Sequence, residues 1–233
     1  MIINFKNAVK KYGDNEENMV YAMDHIDLSI NEGELCVILG PSGSGKSTLL
    51  NMIGGLDSID EGELIVDGQV INKLSQKQIT EYRRSKIGFV FQFFNLIPDL
   101  TAEENIQVVS DITQSPLNID EVLETLGIEN LRDRFPKELS GGQQQRIAIA
   151  RSIIKNPRLL LCDELTGALD SKSSKDVIRF VDKINRTYKT TIVIITHNEA
   201  IKNIADRIVR IKDGKIISNE LNENRIDAGD IEL

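Results

Sequence analysis

The feature that most constrains the fold is the stretch GPSGSGKST at residues 40–48. It follows GELCVIL, an apolar run typical of a strand buried on both faces, and it precedes the helical pattern KSTLLNMIGGL. Glycines between a strand and a helix let successive backbone N–H groups turn toward phosphate oxygens, and the helix N-terminus adds a positive dipole end. The stretch matches G-x-x-x-x-G-K-[ST] in the context that this motif requires, so it predicts a nucleoside triphosphate site.

Two residues of this loop have predicted roles of their own. The Lys46 ammonium can reach the β- and γ-phosphates, and the Ser47 hydroxyl can ligate Mg²⁺. The alternative is a glycine turn that matches by chance, which we expect in roughly 1% of chains of this length. We therefore predict nucleotide contacts from the whole loop: Gly40, Pro41, Ser42, Gly43, Ser44, Gly45, Lys46, Ser47 and Thr48.

A second apolar run, LLLCDE, ends in the two carboxylates Asp163 and Glu164. One carboxylate at the end of such a strand can hold Mg²⁺ directly or through water, and we assign that role to Asp163. A carboxylate just beyond the γ-phosphate can orient or deprotonate an attacking water, which makes Glu164 the candidate general base. The alternative for Glu164 is a solvated acid at a strand end.

Composition excludes several classes of protein. The net charge of −8 over 233 residues disfavours a general role on DNA or RNA, because phosphate neutralisation needs a basic surface. Cys36 and Cys162 lie in apolar runs and are predicted to be buried, unreactive thiols in a reducing compartment. The start MIINFKNAVKKYG lacks the apolar core of a signal peptide, and no apolar run approaches the ~18 residues that span a bilayer. Any membrane role is therefore expected to come through a partner.

Strand and helix patterns alternate along the chain and predict an α/β fold with a parallel sheet. Asp67-Gly68 and Asp213-Gly214 predict tight hairpin turns. The segment 98–152 is helical without a strand, which indicates an inserted helical subdomain. We expect the nucleotide-binding core, with its β subdomain, to comprise 1–97 and 153–220, and residues 221–233 to form a loosely held acidic tail.

The stretch LSGGQQQRIAIARS at residues 139–152 raises a question. Two adjacent glycines at the start of a helical pattern indicate that something comes very close to the backbone there. A phosphate-binding glycine loop, however, already lies about a hundred residues earlier.

The motifs agree in order and spacing with one family, and the chain resembles the ATPase subunit of ABC transporters. The matching motifs are the phosphate loop, Gln92 in FQFFNLIP, LSGGQ, LLLCDE, ALD at 168–170, and His197 in ITHN. Tyr12 in KKYG matches the aromatic residue that stacks on adenine in that family. The resemblance covers essentially the whole chain except the tail. It implies a P-loop NTPase (RecA-like) core with an antiparallel β subdomain and an inserted α-helical subdomain, and it implies ATP and Mg²⁺ as ligands.

The family's architecture offers an answer to the question about the second glycine pair. Two such subunits pair head to tail, and each ATP lies between one subunit's glycine loop and the other's LSGGQ. By this resemblance Gln92 senses the γ-phosphate through Mg²⁺ or water, His197 contacts the γ-phosphate, and Asp170 crosses the dimer interface. The contacts to the partner's ATP are then expected from Ser140, Gly141, Gly142 and Gln143.

The chain departs from the family at Leu165, where relatives usually have proline after the catalytic glutamate. Leucine leaves that turn less constrained and restores a backbone N–H. FQFFNLIPDLTAEENI and LSGGQQQRIAIAR resemble the branch that contains macrolide exporters, lipoprotein-release ATPases and antimicrobial-peptide transporters.

The branch resemblance implies a position on the cytoplasmic face of the cell membrane, bound to an integral membrane permease, with export or extraction of a peptide, lipoprotein or drug. The expected docking patch is Phe93, Phe94, Leu96 and Ile97, some of which instead serve core packing. One alternative is a regulatory ABC ATPase that drives a cell-wall hydrolase through a membrane partner without transport. Another is a relative that acts in translation, DNA repair or iron–sulfur assembly, which the acidic charge and the single nucleotide domain disfavour.

Overall fold

The computed structural model describes residues 1–13, 15 and 18–233. Helices α1 to α6 span, in order, Lys46–Ile53, Gln76–Lys86, Ala102–Asp111, Ile119–Leu126, Gly141–Ile153 and Ser171–Tyr188. Strands β1 to β10 span, in order, Ile3–Tyr12, Val20–Ile30, Leu35–Leu39, Glu61–Val66, Gln69–Val70, Ile87–Val90, Leu159–Asp163, Thr191–Thr196, Arg207–Lys212 and Lys215–Leu221. Both hairpin turns predicted at Asp-Gly pairs are present, and all four of those residues have positive φ, as tight primed turns require.

The central sheet has six strands in the order β10-β9-β3-β8-β7-β6. Strands β3, β6, β7, β8 and β9 run parallel, and only β10 is antiparallel. Strands β3 and β8 are buried along their whole length, which explains their continuous apolar sequences. The carboxyl ends of the parallel strands meet at one edge, where Leu39 pairs with Thr196 and Asp163 with Ile195. This register brings the glycine loop, the acid pair and His197 to a common edge.

A second, antiparallel sheet has four strands in the order β2-β1-β4-β5. Its inward side chains, such as Phe5, Met23 and Leu64, share one apolar core with α1 and with Cys36 and Ile38 of β3. The fold is therefore the predicted α/β fold with an antiparallel β subdomain.

Helices α3, α4 and α5 occupy the segment predicted to be a helical insertion. Each begins at a polar cap: Thr101, Asn118 and Ser140 accept a hydrogen bond from a backbone N–H in the first turn. These helices pack with α6 on the other face of the central sheet, and Leu35, Val37 and Leu39 of β3 belong to that core.

The C-terminal segment contradicts the expectation of a loosely held tail. The side-chain amide of Asn222 donates to the carbonyls of Lys202 and Ala205, at 3.3 and 2.9 Å. Arg225 forms ion pairs with Asp182 of α6 and with Asp206, and Ala228 and Ile231 are buried. The prediction was wrong because it rested on the acidic composition of the tail. It did not consider that Arg225, the one arginine of the tail, could pair with carboxylates elsewhere in the chain.

The two cysteines lie where the sequence predicts them. Cys36 and Cys162 are fully buried, and burial raises the pKa of both thiols far above its usual range. Such thiols stay protonated and unreactive. Among the described residues, no helix combines the length and apolarity needed to cross a membrane.

Replacement of Arg225 tests the docked C-terminal segment. Arg225→Ala should lower the free energy of unfolding by about 1–3 kcal/mol, because it removes charged hydrogen bonds from Asp182, a nearly buried carboxylate. Urea unfolding measures this change. Arg84→Ala is the matched control, because its ion pair with Glu81 is more than half exposed on both sides and should matter by less than about 0.5 kcal/mol. Equal stabilities of the two variants would contradict the proposed anchoring.

Candidate functional site

A cavity of about 820 Å³ opens at the carboxyl edge of the central sheet. Eleven of the residues predicted from the sequence line it: Tyr12, Ser42, Gly43, Gly45, Lys46, Ser47, Thr48, Gln92, Asp163, Glu164 and His197. The phosphate loop, the acid pair, the glutamine and the histidine are thus brought together around one space.

The glycine loop curls around its own lysine. Lys46 is the first residue of α1 and is almost buried, and its Nζ donates to the carbonyls of Gly40 and Pro41 at 2.7 and 2.9 Å. Gly45 has a φ of 102°, and a Cβ there would lie 2.4 Å from the Ala22 carbonyl oxygen. Only glycine can make that approach without strain.

The loop fits a chain of phosphates. Gly43 has a φ of 76°, and a Cβ built there meets no atom within 4 Å, so the backbone faces open space on the cavity side. The buried Ser44 hydroxyl has no hydrogen-bond partner among the described residues. Gly40, Pro41 and Ser44 do not line the cavity, since they form the base of the loop against Ile211 and β10's hairpin. Free backbone donors, a lysine and a helix N-terminus are the donor set that phosphate oxygens require.

Two adjacent carboxylates lie opposite the lysine. Half-burial and the neighbouring negative charge of Glu164 raise the pKa of the Asp163 carboxyl, whereas Lys46 and the Ser47 hydroxyl act in the opposite direction. Concentrated negative charge beside a hydroxyl suits a divalent cation. Mg²⁺ takes most of its other ligands from water and substrate phosphates, so one carboxylate and one hydroxyl of the protein fit such a site.

Glu164 directly follows β7 and is held from several sides by the end of the neighbouring strand β8. Its backbone has a φ of 47°, a strained value for a residue with a side chain, and its N–H donates to the Ile195 carbonyl at 3.1 Å. The Thr196 hydroxyl donates to Oε2 at 3.1 Å, and His197 Nδ1 lies 3.0 Å from Oε1. Leu165, which stands where relatives usually have proline, buries its side chain in the helical core. The leucine therefore anchors this turn by packing.

Tyr12 also lines the cavity. The ring is 46% exposed, and its hydroxyl donates to Asp57 Oδ2 at 2.5 Å. Asp57 also pairs with Lys10 at 2.8 Å, and the Lys10 ammonium lies 5.1 Å from the centre of the Tyr12 ring. An exposed aromatic face whose hydroxyl is fixed in this way is suited to stack on a base.

The LSGGQ stretch lies outside this cavity. Ser140 and Gln143 form a reciprocal capping box at the start of α5, with bonds of 2.8 and 3.3 Å. A Cβ on Gly142 would lie 2.7 Å from Cβ of Ser173 on α6, and one on Gly141 would lie 3.2 Å from Leu169 Cδ2. Within this chain, therefore, the close approach to the glycine pair is made by the side chains of Ser173 and Leu169.

Asp170 also lies away from the cavity, next to LSGGQ. Its carboxylate caps α6 by accepting hydrogen bonds from the backbone N–H and the hydroxyl of Ser173, at 2.9 and 2.8 Å. These bonds hold the pKa of the Asp170 carboxyl below its usual range. Ser140, Gly141, Gly142, Gln143 and Asp170 thus form one surface where α5 and α6 begin.

Some residues of the site were not identified from the sequence. Val20, Tyr21, Ala22, Asp213 and Gly214 also line the cavity. The signal available for the last two was the Asp-Gly turn itself, and its second role appears only in the structure: the Gly214 N–H donates to the Ser44 carbonyl at 3.1 Å. Thr196 was missed as well, since a threonine at the end of an apolar strand carries no distinctive signal.

Comparison with known proteins points to one family. The family model for ABC transporters matches residues 23–167. An ABC transporter ATP-binding protein homolog of Mycoplasma pneumoniae is 47% identical over 213 residues, which are 90% of this chain and 63% of that protein. A lipoprotein-releasing system ATP-binding protein of Chlorobaculum tepidum is 40% identical over 226 residues, which are 93% of this chain and 92% of that protein. The chain therefore spans less than two thirds of the Mycoplasma relative.

One similar protein has a solved structure in a chemically informative state. An ABC transporter ATP-binding protein of Methanocaldococcus jannaschii is 44% identical over 228 residues, which are 94% of this chain and 97% of that protein. Its dimeric structure in a post-hydrolysis state, bound to ADP and Pi, matches this fold with a TM-score of 0.83 over 94% of this chain and 98% of that chain.

Substitution at Gly142 tests the role of close packing. Gly142→Ala should destabilise the protein by about 1–3 kcal/mol, because the new methyl overlaps Ser173 on a neighbouring helix. Thermal unfolding measures this change. Gly142→Ala combined with Ser173→Gly, compared with Ser173→Gly alone, should recover much of the lost stability. Gly141→Ala is the control and should cost less, since its one tight contact, at 3.2 Å, is with the flexible end of Leu169. A Gly142→Ala protein of unchanged stability would show that the helix contact does not require glycine.

Proposed function

The chain belongs to the ABC transporter family as an ATP-binding ATPase subunit, and on that premise we propose that it acts as a head-to-tail dimer that drives a separate membrane permease. The family, the ABC ATPase activity and the kinship with lipoprotein-release ATPases, all expected from the sequence, are confirmed. The observation that carries the proposal is the placement of an acid pair opposite a phosphate-loop lysine in one cavity, with the second glycine stretch outside it.

In the proposed reaction the ATP phosphates lie in the glycine loop, and the Tyr12 ring stacks on adenine. Lys46, the loop N–H groups and Thr48 bind the phosphate chain, while Gln92 and His197 orient the γ-phosphate and the water. Mg²⁺ held by Ser47, Asp163 and Gln92 would offset the charge that the phosphate oxygens carry. Glu164 takes a proton from water as the water oxygen bonds to the γ-phosphorus, and the bond between that phosphorus and the bridging oxygen of ADP breaks.

The proposed dimer uses the surface that lies outside the cavity. Ser140, Gly141, Gly142 and Gln143 begin α5, so they offer backbone donors and a dipole end to the partner's γ-phosphate. Asp170, beside them, is the residue expected to cross the interface. The solved Methanocaldococcus jannaschii cassette is dimeric, which supports the formation of a dimer. ADP lacks the γ-phosphate that LSGGQ is proposed to contact, so the dimer binds ADP more weakly than ATP and hydrolysis weakens the pairing.

The proposed permease contact lies in the segment after β6. Phe93 is 72% exposed and Ile97 40% exposed, whereas Phe94 and Leu96 are half-buried, and Leu96 packs on the helical core. Arg151 of α5 donates to the carbonyls of Phe94 and Asn95, at 3.1 and 2.7 Å. This bond ties the apolar segment to the helix that begins at LSGGQ, which gives a physical link between a docked permease and the dimer interface.

The proposed cellular role is export or extraction of a peptide, lipoprotein or drug, with the chain on the cytoplasmic face of the membrane. The Chlorobaculum tepidum lipoprotein-releasing protein supports this direction. The alternative is a regulatory ABC ATPase that drives a cell-wall hydrolase through its membrane partner. Both use the same ATPase cycle, and the identity of the protein that co-purifies with the permease separates them.

Removal of the proposed base tests the mechanism. Glu164→Gln keeps the shape of the side chain but is a far poorer base, so ATP hydrolysis should slow by about 10²- to 10⁴-fold. ATP affinity should change little, because Lys46 and the loop remain. A closed dimer should accumulate with ATP and not with ADP, as measured by size-exclusion chromatography beside a turnover assay.

Two further variants serve as controls for Glu164→Gln. Asp163→Asn should impair the Mg²⁺ site itself and raise the Mg²⁺ concentration that hydrolysis requires, which Glu164→Gln should not. Ser140→Arg combined with Glu164→Gln should bind ATP and remain monomeric, because the arginine obstructs the partner's site. Normal hydrolysis by Glu164→Gln would refute the base assignment, and an ATP-dependent dimer that tolerates Ser140→Arg would refute the head-to-tail pairing.

Substitution of Phe93 tests the proposed permease contact. Phe93→Asp should leave ATP affinity unchanged, because the ring is exposed, and should reduce recovery of the tagged chain in the membrane fraction severalfold. Ile217→Asp is the matched control, since Ile217 is 61% exposed on the edge strand β10. If both variants detach to the same degree, or if Phe93→Asp stays with the membrane, this segment is not the docking site.

A further inference from the structure

Thr196 occupies a central position among the contacts of Glu164. It is the last residue of β8 and is 1% exposed. Its hydroxyl oxygen accepts a hydrogen bond from the Asn198 N–H at 3.1 Å and lies 3.1 Å from Glu164 Oε2. A carboxylate can only accept, so the single hydroxyl proton of Thr196 points at Glu164.

The two contacts of the Glu164 carboxylate differ in how far their side chains are buried. His197 approaches Oε1, but 69% of its side chain is exposed. Thr196 is a buried, β-branched residue, so its χ1 angle is restricted. Its backbone pairs with Leu39, which directly precedes the glycine loop. Asn198, whose N–H holds the hydroxyl, is itself fixed because its side chain caps the turn that begins at Glu199.

We propose that Thr196 is a positioning residue for the general base: it fixes Oε2 of Glu164 and leaves Oε1 as the oxygen that takes the proton from water. This inference rests on the proposed role of Glu164 as base. His197 is then the contact that is released when it turns to the γ-phosphate, and the threonine keeps the carboxylate in place during that movement. The backbone of Glu164 is strained, with φ of 47°, but this angle does not fix the side-chain torsions. The carboxylate therefore needs a contact such as the Thr196 hydroxyl to hold it in place.

The test compares two substitutions that differ by one hydroxyl. Thr196→Val keeps the shape and should lower kcat for ATP hydrolysis by roughly 10- to 100-fold, since a small misplacement of a reacting group has an effect of this size. KM and the affinity for ATP should stay within about twofold, because Thr196 does not line the cavity. Thr196→Ser keeps the hydroxyl and should restore kcat to near the original value. If valine disturbs folding, Thr196→Ala and Thr196→Ser give the same comparison.

A double-substitution cycle shows whether Thr196 acts through Glu164. In the Glu164→Gln background, Thr196→Val should cause little further loss in single-turnover hydrolysis. An equal loss in both backgrounds, or a Thr196→Ser protein as slow as Thr196→Val, would overturn the inference. An unaffected Thr196→Val protein beside an inactive Glu164→Gln protein would overturn it while leaving the proposed function intact. A fully active Glu164→Gln protein would instead refute the proposed function.

Discussion

The register of the parallel strands β3, β8 and β7 is the constraint on which the rest of the site depends. Leu39 pairs with Thr196, and Asp163 pairs with Ile195, so the three strands end together. The residues that follow them emerge at one edge of the sheet. A slip of one residue in any of these strands would turn its side chains to the opposite face. The chemistry of the acid pair is therefore fixed by backbone hydrogen bonds inside a buried sheet.

Two apolar cores on opposite faces of the sheet enforce that register. Along β3, Leu35, Val37 and Leu39 belong to the core beneath the helical insertion, whereas Cys36 and Ile38 belong to the core shared with the antiparallel sheet. Each residue of the strand before the glycine loop is thus buried on one side or the other. The loop begins from a strand that cannot shift, which lets its backbone approach a charged ligand without reorganisation.

The sequence was most informative where local chemistry is distinctive. The glycine loop, the buried strands, both Asp-Gly turns and the α/β class could be predicted because each depends on neighbouring residues along the chain. The docked C-terminal segment could not, because it depends on Arg225 reaching Asp182 and Asp206 from separate elements. Thr196 escaped notice for the same reason: its hydroxyl has meaning only beside Glu164. The sequence also could not show that Ser173, in the same chain, already lies against Gly142.

The two glycine stretches therefore follow from different physical demands. Gly45 is required because the loop passes against the Ala22 carbonyl, and Gly142 because α5 starts against Ser173 of α6. This second contact packs LSGGQ against the helix capped by Asp170, so the two parts of the proposed dimer surface are in direct contact. Arg151, on the same helix as Gly142, donates hydrogen bonds to the backbone of the apolar segment at Phe94 and Asn95. A phosphate bound by a partner at the start of α5 would thus act on a helix whose contacts extend to the proposed permease contact. Loss of that phosphate on hydrolysis can then reach the membrane through the packing of α5 and its contacts with the apolar segment.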